Sequence, residues 1–387
     1  MSNLGQSLSK WWKNIQGYLF PLLEEELDPL TQKQKQLITI LEVVRIENFI
    51  PDTWLRGRPP ESRKAISRAF IAKSVYNLPT TTMLLEQLVV DKNLRRICGW
   101  ECKNQVPSEA TFSRAFAEFS NTQLPQRVHE ALIKEFGKEG IVMHVSSDST
   151  AIEAREKAQK KEKQPQEDKK EILEAKKRDR LKKGEMKPIE SKEMKRLEKQ
   201  PSMGIDEILE DLPKACNFGC KKNSQGNTET WKGYKFHISS ADGGIPISAI
   251  LTSASLHDSQ AIIPLMKINA TRVTSLYDLC DAAYDDPNIK NYSQSLNHIP
   301  LIDINPRRDA ELKKTLEEEA KARRILNLQM PEELRYNERS TAERTNARLK
   351  DEFGGRNLRV KGPVKAFCHL MFGVLALAAD QAMRLVT

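Results

Sequence analysis

Apolar residues recur at helical spacing along the first third of the chain. From about Thr31 to Val44 and from Glu61 to Tyr76 they predict two helices, the second with Pro59-Pro60 as its start signal. Thr80 to Thr82 cap a third helix running through Val90, and Ser108 caps a fourth that opens in Pro107-Ser-Glu-Ala-Thr-Phe-Ser-Arg. Ahead of these, Trp11, Trp12, Tyr18 and Phe20 precede a break at Pro21, the pattern of a short amphipathic docking helix with no partner evident. The period then changes. Ile141 to Val145 alternates bulky residues and gives way to Ser-Ser-Asp-Ser-Thr, so Asp148 is expected where a short strand stops. Gly233 to Ser240 and Pro246 to Thr252 read as strands joined by the turn Ala241-Asp-Gly-Gly-Ile. His257-Asp-Ser opens a helix with Asp258 or Ser259 as its cap. Val273 to Leu279 predicts a strand that delivers Asp281; a helix from about Asp286 and a fifth strand from His298 to Ile304 follow. The run Phe367 to Ala379 is interrupted by His369 and too short to span a bilayer, so it predicts a buried C-terminal helix on the sheet.

Length and charge narrow the picture only a little. A chain of 387 residues has room for two domains, each with its own core. The net charge of +9 is concentrated: residues 155–200 hold eighteen Lys/Arg and eleven Asp/Glu with no aromatic residue. That tract cannot bury enough apolar surface to fold alone and predicts a solvated helical or disordered insertion whose basic excess suits nonspecific contact with a polyanion. The remainder is nearly neutral, so net charge by itself is weak evidence for a polyanionic partner. Six cysteines and no secretory leader point to a reducing, cytoplasmic setting with no membrane partner. Cys98/Cys102 and Cys216/Cys220 are spaced Cys-x3-Cys, looser than the usual zinc spacing, and buried free thiols are the favoured reading.

The chemistry concentrates near the C-terminus. Tyr336, Arg339, Glu343 and Lys350 stand at i, i+3, i+7 and i+14, which on one helix places them within an arc of roughly 60°. Such a stripe is either an exposed helix face with Glu343 stapled to nearby arginines or a face turned to a metal and a polyanion. Two aspartates at strand ends and a glutamate on a late helix make a carboxylate set suited to divalent metal.

With these motifs the chain resembles the DDE transposases of bacterial insertion sequences, in particular the group marked by Y-x2-R-x3-E-x6-K. Asp148-Ser-Thr, Trp231-Lys-Gly-Tyr-Lys-Phe-His237, Ser253-Ala-Ser-Leu-His-Asp-Ser259 and Asp281-Ala-Ala-Tyr-Asp285 extend the likeness. The resemblance implies an α/β fold: an RNase H-like mixed five-stranded sheet flanked by helices, preceded by an all-α N-terminal domain. It places that DNA-binding domain at residues 1–138, the catalytic domain at 139–154 and 225–387, and the insertion and linker at 155–224. It implies Asp148, Asp281 and Glu343 as catalytic ligands of Mg²⁺ or Mn²⁺, with Tyr336, Arg339, Arg344 and Lys350 on the DNA backbone. Ser108, Thr111 and Arg114 are the expected DNA contacts of the N-terminal domain. The implied reaction nicks the ends of the element and joins the 3′-hydroxyls to target DNA. The implied partners are double-stranded DNA, as inverted-repeat ends and target, and a second copy of the chain in the active complex. Competing readings are a catalytically inactive DNA-binding regulator and an RNase H-like nuclease or resolvase.

Overall fold

The computed structural model describes residues 9–10, 12–27, 29–51, 61–137, 141–159, 194–222, 226–307 and 309–386. Pro59-Pro60 and most of the charged tract lie outside these residues, and with them the helix start and the solvated insertion expected there.

Seven helices come first: α1 (Phe20–Glu26), α2 (Gln32–Val44), α3 (Arg63–Val75), α4 (Thr81–Val90), α5 (Lys92–Cys98), α6 (Glu109–Asn121) and α7 (Leu124–Gly137). Four of them start where side-chain oxygens satisfy otherwise unpaired N–H groups. Thr31 and Gln34 form a reciprocal capping box on α2, and Ser62, Thr80 and Asp91 cap α3, α4 and α5. Pro21 does not break the N-terminal helix: it sits at the start of α1 directly after a π-turn over Ile15–Leu19 and the helical path continues. That helix docks on its own chain, with Ile15, Phe20, Leu27 and Leu30 packed against Ile38 of α2.

The second part is built on β1 (Ile141–Glu153), β2 (Asn217–Lys222), β3 (Thr228–Ala241), β4 (Pro246–Ser253), β5 (Thr274–Cys280) and β6 (Ile299–Ile302). Helices α8 (Ile205–Asp211), α9 (Ile262–Ala270), α10 (Pro287–Ser295), α11 (Ala310–Ile325), α12 (Pro331–Tyr336), α13 (Ser340–Asp351) and α14 (Pro363–Arg384) complete it. The sheet is mixed. β3 runs antiparallel to β1, β2 and β4, whereas β1, β5 and β6 are parallel neighbours. This mostly helical front followed by a mixed sheet is compatible with an RNase H-like DDE domain. The sheet has six strands rather than five. β2 falls in the stretch expected to be linker, because Asn-Phe-Gly-Cys-Lys-Lys shows no alternation and belongs to an edge strand exposed along most of its length. Between β6 and α13 the chain also forms the 16-residue α11, which has no buried residue.

Helices cover both faces of the sheet. Ile250 on one face packs with Leu212, Ile262, Ile263 and Met266 around α9. Tyr234, Phe236, Ile238 and Leu251 on the other join the large core around α14. That helix is long and apolar enough to cross a membrane, yet its surface is enclosed by protein: α2, α3, α6 and α7 pack against it, as does β4. Phe70, Phe116 and Phe119 gather about Phe372 with ring centroids 5.5, 6.4 and 6.4 Å away. Gly373 lets α13 approach, since a Cβ there would lie 2.6 Å from the Phe353 carbonyl oxygen. Across the expected boundary near residue 138, the front helices and one face of the sheet share the large core around α14, while the other face has its own around α9.

Of the cysteines in the two Cys-x3-Cys pairs, Cys98 and Cys216 are buried, while Cys102 and Cys220 are exposed; all are free thiols.

Candidate metal and DNA site

Asp148 lies inside β1, not at its end. The small polar run around it keeps pairing with β3 as far as Glu153, whereas pairing with β5 stops at Ser146 and Leu279. Asp148 thus stands at a step in the sheet where one neighbour has left. Asp281 is two residues beyond Leu279, just as Asp148 is two beyond Ser146, so the two aspartates are level on adjacent chain segments. Adjacent strands lie about 4.8 Å apart. Asp281 caps the turn Ala282–Tyr284, its Oδ1 accepting from the Ala283 N–H at 2.9 Å.

The helix α13 packs against β1 and β3. The Ser146 hydroxyl donates to the Glu338 carbonyl at 2.9 Å and ties the turn before the helix to β1. One turn after Glu343, Asn346 donates its Nδ2 to Asp148 Oδ2 at 3.1 Å. Burial pushes the Asp148 carboxyl up to about 6, the charges of Asp281 and Glu343 add to the rise, and the Ser149 N–H and Asn346 oppose it. Asp281 is raised by burial as well; the Ala283 N–H and Arg339 pull it back, and Asp258 and Asp303 push it further up. Asp148 therefore senses the charges of both other acids. Glu343 is nevertheless held by Arg339, Nη1 to Oε1 at 2.8 Å, and among the described residues no three His, Cys, Asp or Glu side chains are close enough to hold a metal ion.

The expected stripe is not one continuous α-helix. Tyr336 ends α12, a 3₁₀ turn spans Asn337–Arg339, and only Glu343 and Lys350 belong to α13. Tyr336 serves as a prop: its hydroxyl bonds Asp303, and the Arg339 guanidinium lies 5.6 Å from its ring centroid. Burial raises its pKa and Asp303 adds to the rise. Lys350 is half-buried and its pKa is lowered by burial, then by the charges of Arg356 and Lys221. Arg344 is exposed and donates to the Thr341 hydroxyl at 2.9 Å.

Ser108, Thr111 and Arg114 sit on α6, whose other face buries Phe112, Ala115, Phe116 and Phe119. Ser108 occupies the cap position but makes no cap bond; its Oγ lies 3.2 Å from the Thr111 hydroxyl, which also accepts from Arg114 at 3.3 Å. These three share no hydrogen bond or ion pair with the acidic site.

Two features escaped the sequence reading. Asn346 is legible in hindsight, three residues beyond Glu343 and so on the same helical face. Asp258 is not a cap: His257 accepts the Ser259 N–H instead, and Asp258 pairs with the nearly buried Lys235 at 2.9 Å. Nothing local distinguishes an Asp after His from a capping residue, and its partner is 23 positions away.

Residues 211–379 match the family model described as transposase DDE domain, and residues 25–118 match the one described as transposase domain (DUF772). The first match contains Asp281 and Glu343, the second Ser108, Thr111 and Arg114; Asp148 lies between the two. Searches of curated proteins and of solved structures gave no match. With one transposase model on the front helices and another on most of the sheet and the helices that follow it, the chain belongs to the DDE transposases of insertion sequences.

Proposed function

We propose that this protein nicks the ends of its own insertion sequence and joins the freed 3′-hydroxyls to target DNA, with Asp148, Asp281 and Glu343 as the catalytic carboxylates. One observation carries the reading: Asp148 and Asp281 stand level at the step in the sheet, beneath the helix that bears Glu343 and Asn346. The donor set fits hard divalent cations. It is all carboxylate oxygen; burial, and after it the charges of Asp281 and Glu343, already lifts Asp148, and a cation relieves both. Asp148 and Asp281 would hold Mg²⁺ or Mn²⁺ with Glu343, whose side chain must first leave Arg339. When bound, such a pair of ions activates the attacking oxygen and stabilises the leaving 3′ oxygen.

The chain's own groups do the rest. Asn346 fixes the Asp148 carboxylate. Arg339, freed from Glu343 and propped on the Tyr336 ring, presents a planar fork to a phosphate, and Lys350 supplies a point charge two turns beyond Glu343. Arg344 and the Ser108–Thr111–Arg114 face of α6 contact further DNA. Two element ends are joined in one event, so the active complex contains at least two copies.

The test is single replacement: Asp148→Asn, Asp281→Asn and Glu343→Gln, each assayed for Mg²⁺- or Mn²⁺-dependent nicking of a plasmid carrying the element ends, with gel-shift binding alongside. Each is expected to abolish nicking and keep binding. Metal-dependent nicking by any of the three variants would contradict the assignment.

A further inference from the structure

The β2–β3 hairpin extends the sheet beyond the level of β1: β3 pairs with β1 only from Gly233 onward, whereas residues 228–232 pair with β2 and not with β1. It is exposed along most of its length. Phe218 is 61% accessible, and Cys220, Lys221, Thr228, Glu229 and Thr230 are all exposed. Its base is firm, since Cys216 and Tyr234 share the large core with Leu349 and Phe353 at the end of α13. The ribbon is thereby anchored beside the C-terminal turn of the helix that carries Glu343.

Cations gather there. Lys221 on the ribbon, Lys350 on α13 and Arg356 just after it are close enough for Lys221 and Arg356 to depress the lysine between them, burial being the larger cause. Their acidic neighbours balance them weakly. Lys221 meets Glu229 at 3.9 Å and Arg356 meets Asp351 at 2.6 Å, all four side chains being more than half exposed, and such pairs contribute little. Beyond Glu352 no Asp or Glu occurs until Asp380, while Arg356, Arg359, Lys361 and Lys365 are all exposed. Like charges held together on a rigid base, next to an acid-free stretch, match a polyanion. A two-stranded ribbon also has dimensions that a DNA groove admits.

We propose that the β2–β3 ribbon and the segment after α13 form a second DNA-backbone clamp beside Asp148, with Lys221 and Arg356 gripping phosphates. This rests on the DNA-cutting reading above and adds to it where the DNA lies: across the end of α13 that bears Lys350, away from Arg339.

The experiment measures binding of the full chain to a generic duplex oligonucleotide over a range of salt concentrations, for the native protein, Lys221→Ala, Lys221→Glu, Arg356→Ala and Asp148→Asn. Each phosphate contact contributes about 0.9 to the slope of log affinity against log salt. Lys221→Ala and Arg356→Ala should each lower that slope by about one, Lys221→Glu should lower affinity further, and melting temperatures should stay unchanged because both residues are exposed. Native slope and affinity in Lys221→Glu and Arg356→Ala would overturn the clamp. Loss of nicking by Asp148→Asn in the same preparation would leave the catalytic reading standing. Conversely, slopes that fall as expected while Asp148→Asn still nicks would uphold the clamp and remove the catalytic assignment.

Discussion

Asp148→Asn should stabilise the metal-free protein at neutral pH. In the fold this carboxyl titrates at about 6 against an ordinary 3.8. The folded chain therefore keeps a proton that the unfolded chain has released between those two values. Stability falls as pH rises through that window, and the loss is complete above it. At about 1.4 kcal/mol per pH unit the penalty is at most about 3 kcal/mol at about pH 7.5, shrinking to about 1 kcal/mol at about pH 4.5. An asparagine does not titrate, and its amide oxygen can still accept from Asn346. With an unfolding entropy of about 2 cal/mol/K per residue, the gain corresponds to roughly 3–4 °C in Tm. Thermal scans in EDTA at the two pH values measure it directly, and Mg²⁺ should narrow the difference by stabilising only the native carboxylate. A variant no more stable than the native protein at about pH 7.5, or a gain of equal size at both pH values, would refute the reasoning.

Two other substitutions test the packing. Gly219→Ala puts a Cβ 2.5 Å from the Trp231 ring and 2.6 Å from the Ala254 carbonyl oxygen; neither has room to yield cheaply, and denaturant titration should show a loss of about 1–3 kcal/mol. Phe372→Ala opens the aromatic cluster that joins α3, α6 and α14 and should cost about 3–5 kcal/mol. Near- and far-ultraviolet dichroism of that variant should move together in one transition, and two separated transitions would show that the front helices and the sheet do not share a core.

Much of this was legible because local chemistry announced it. Thr31 with Gln34 and Thr80 declare helix starts on their own, and Val273 to Leu279 can be little other than a buried strand. The position of Asp281 just past β5 and that of Glu343 on a late helix were readable for the same reason. What escaped reading depends on partners far away in sequence. Ser-Ser-Asp-Ser-Thr looks like a strand end, and only the antiparallel partner 233–241 keeps it extended through Glu153. β2 has no pattern of its own and exists by virtue of β3. The break between Tyr336 and Ser340 is invisible in a helical wheel, since all these residues keep right-handed helical dihedrals and only the hydrogen bonding tightens. The core that the front helices share with one face of the sheet was hidden because an apolar C-terminal helix does not state how many neighbours it will take.

That shared interior limits how such a protein can be recombined. Phe70, Phe112, Phe116 and Phe119 are finished surfaces only against Phe372 and its neighbours on α14, some three hundred positions downstream of the earliest of them. A front half taken from a relative cannot be spliced in as a cassette unless the last long helix travels with it. Point changes on outward faces, which leave that interior untouched, are accordingly better tolerated than module exchange.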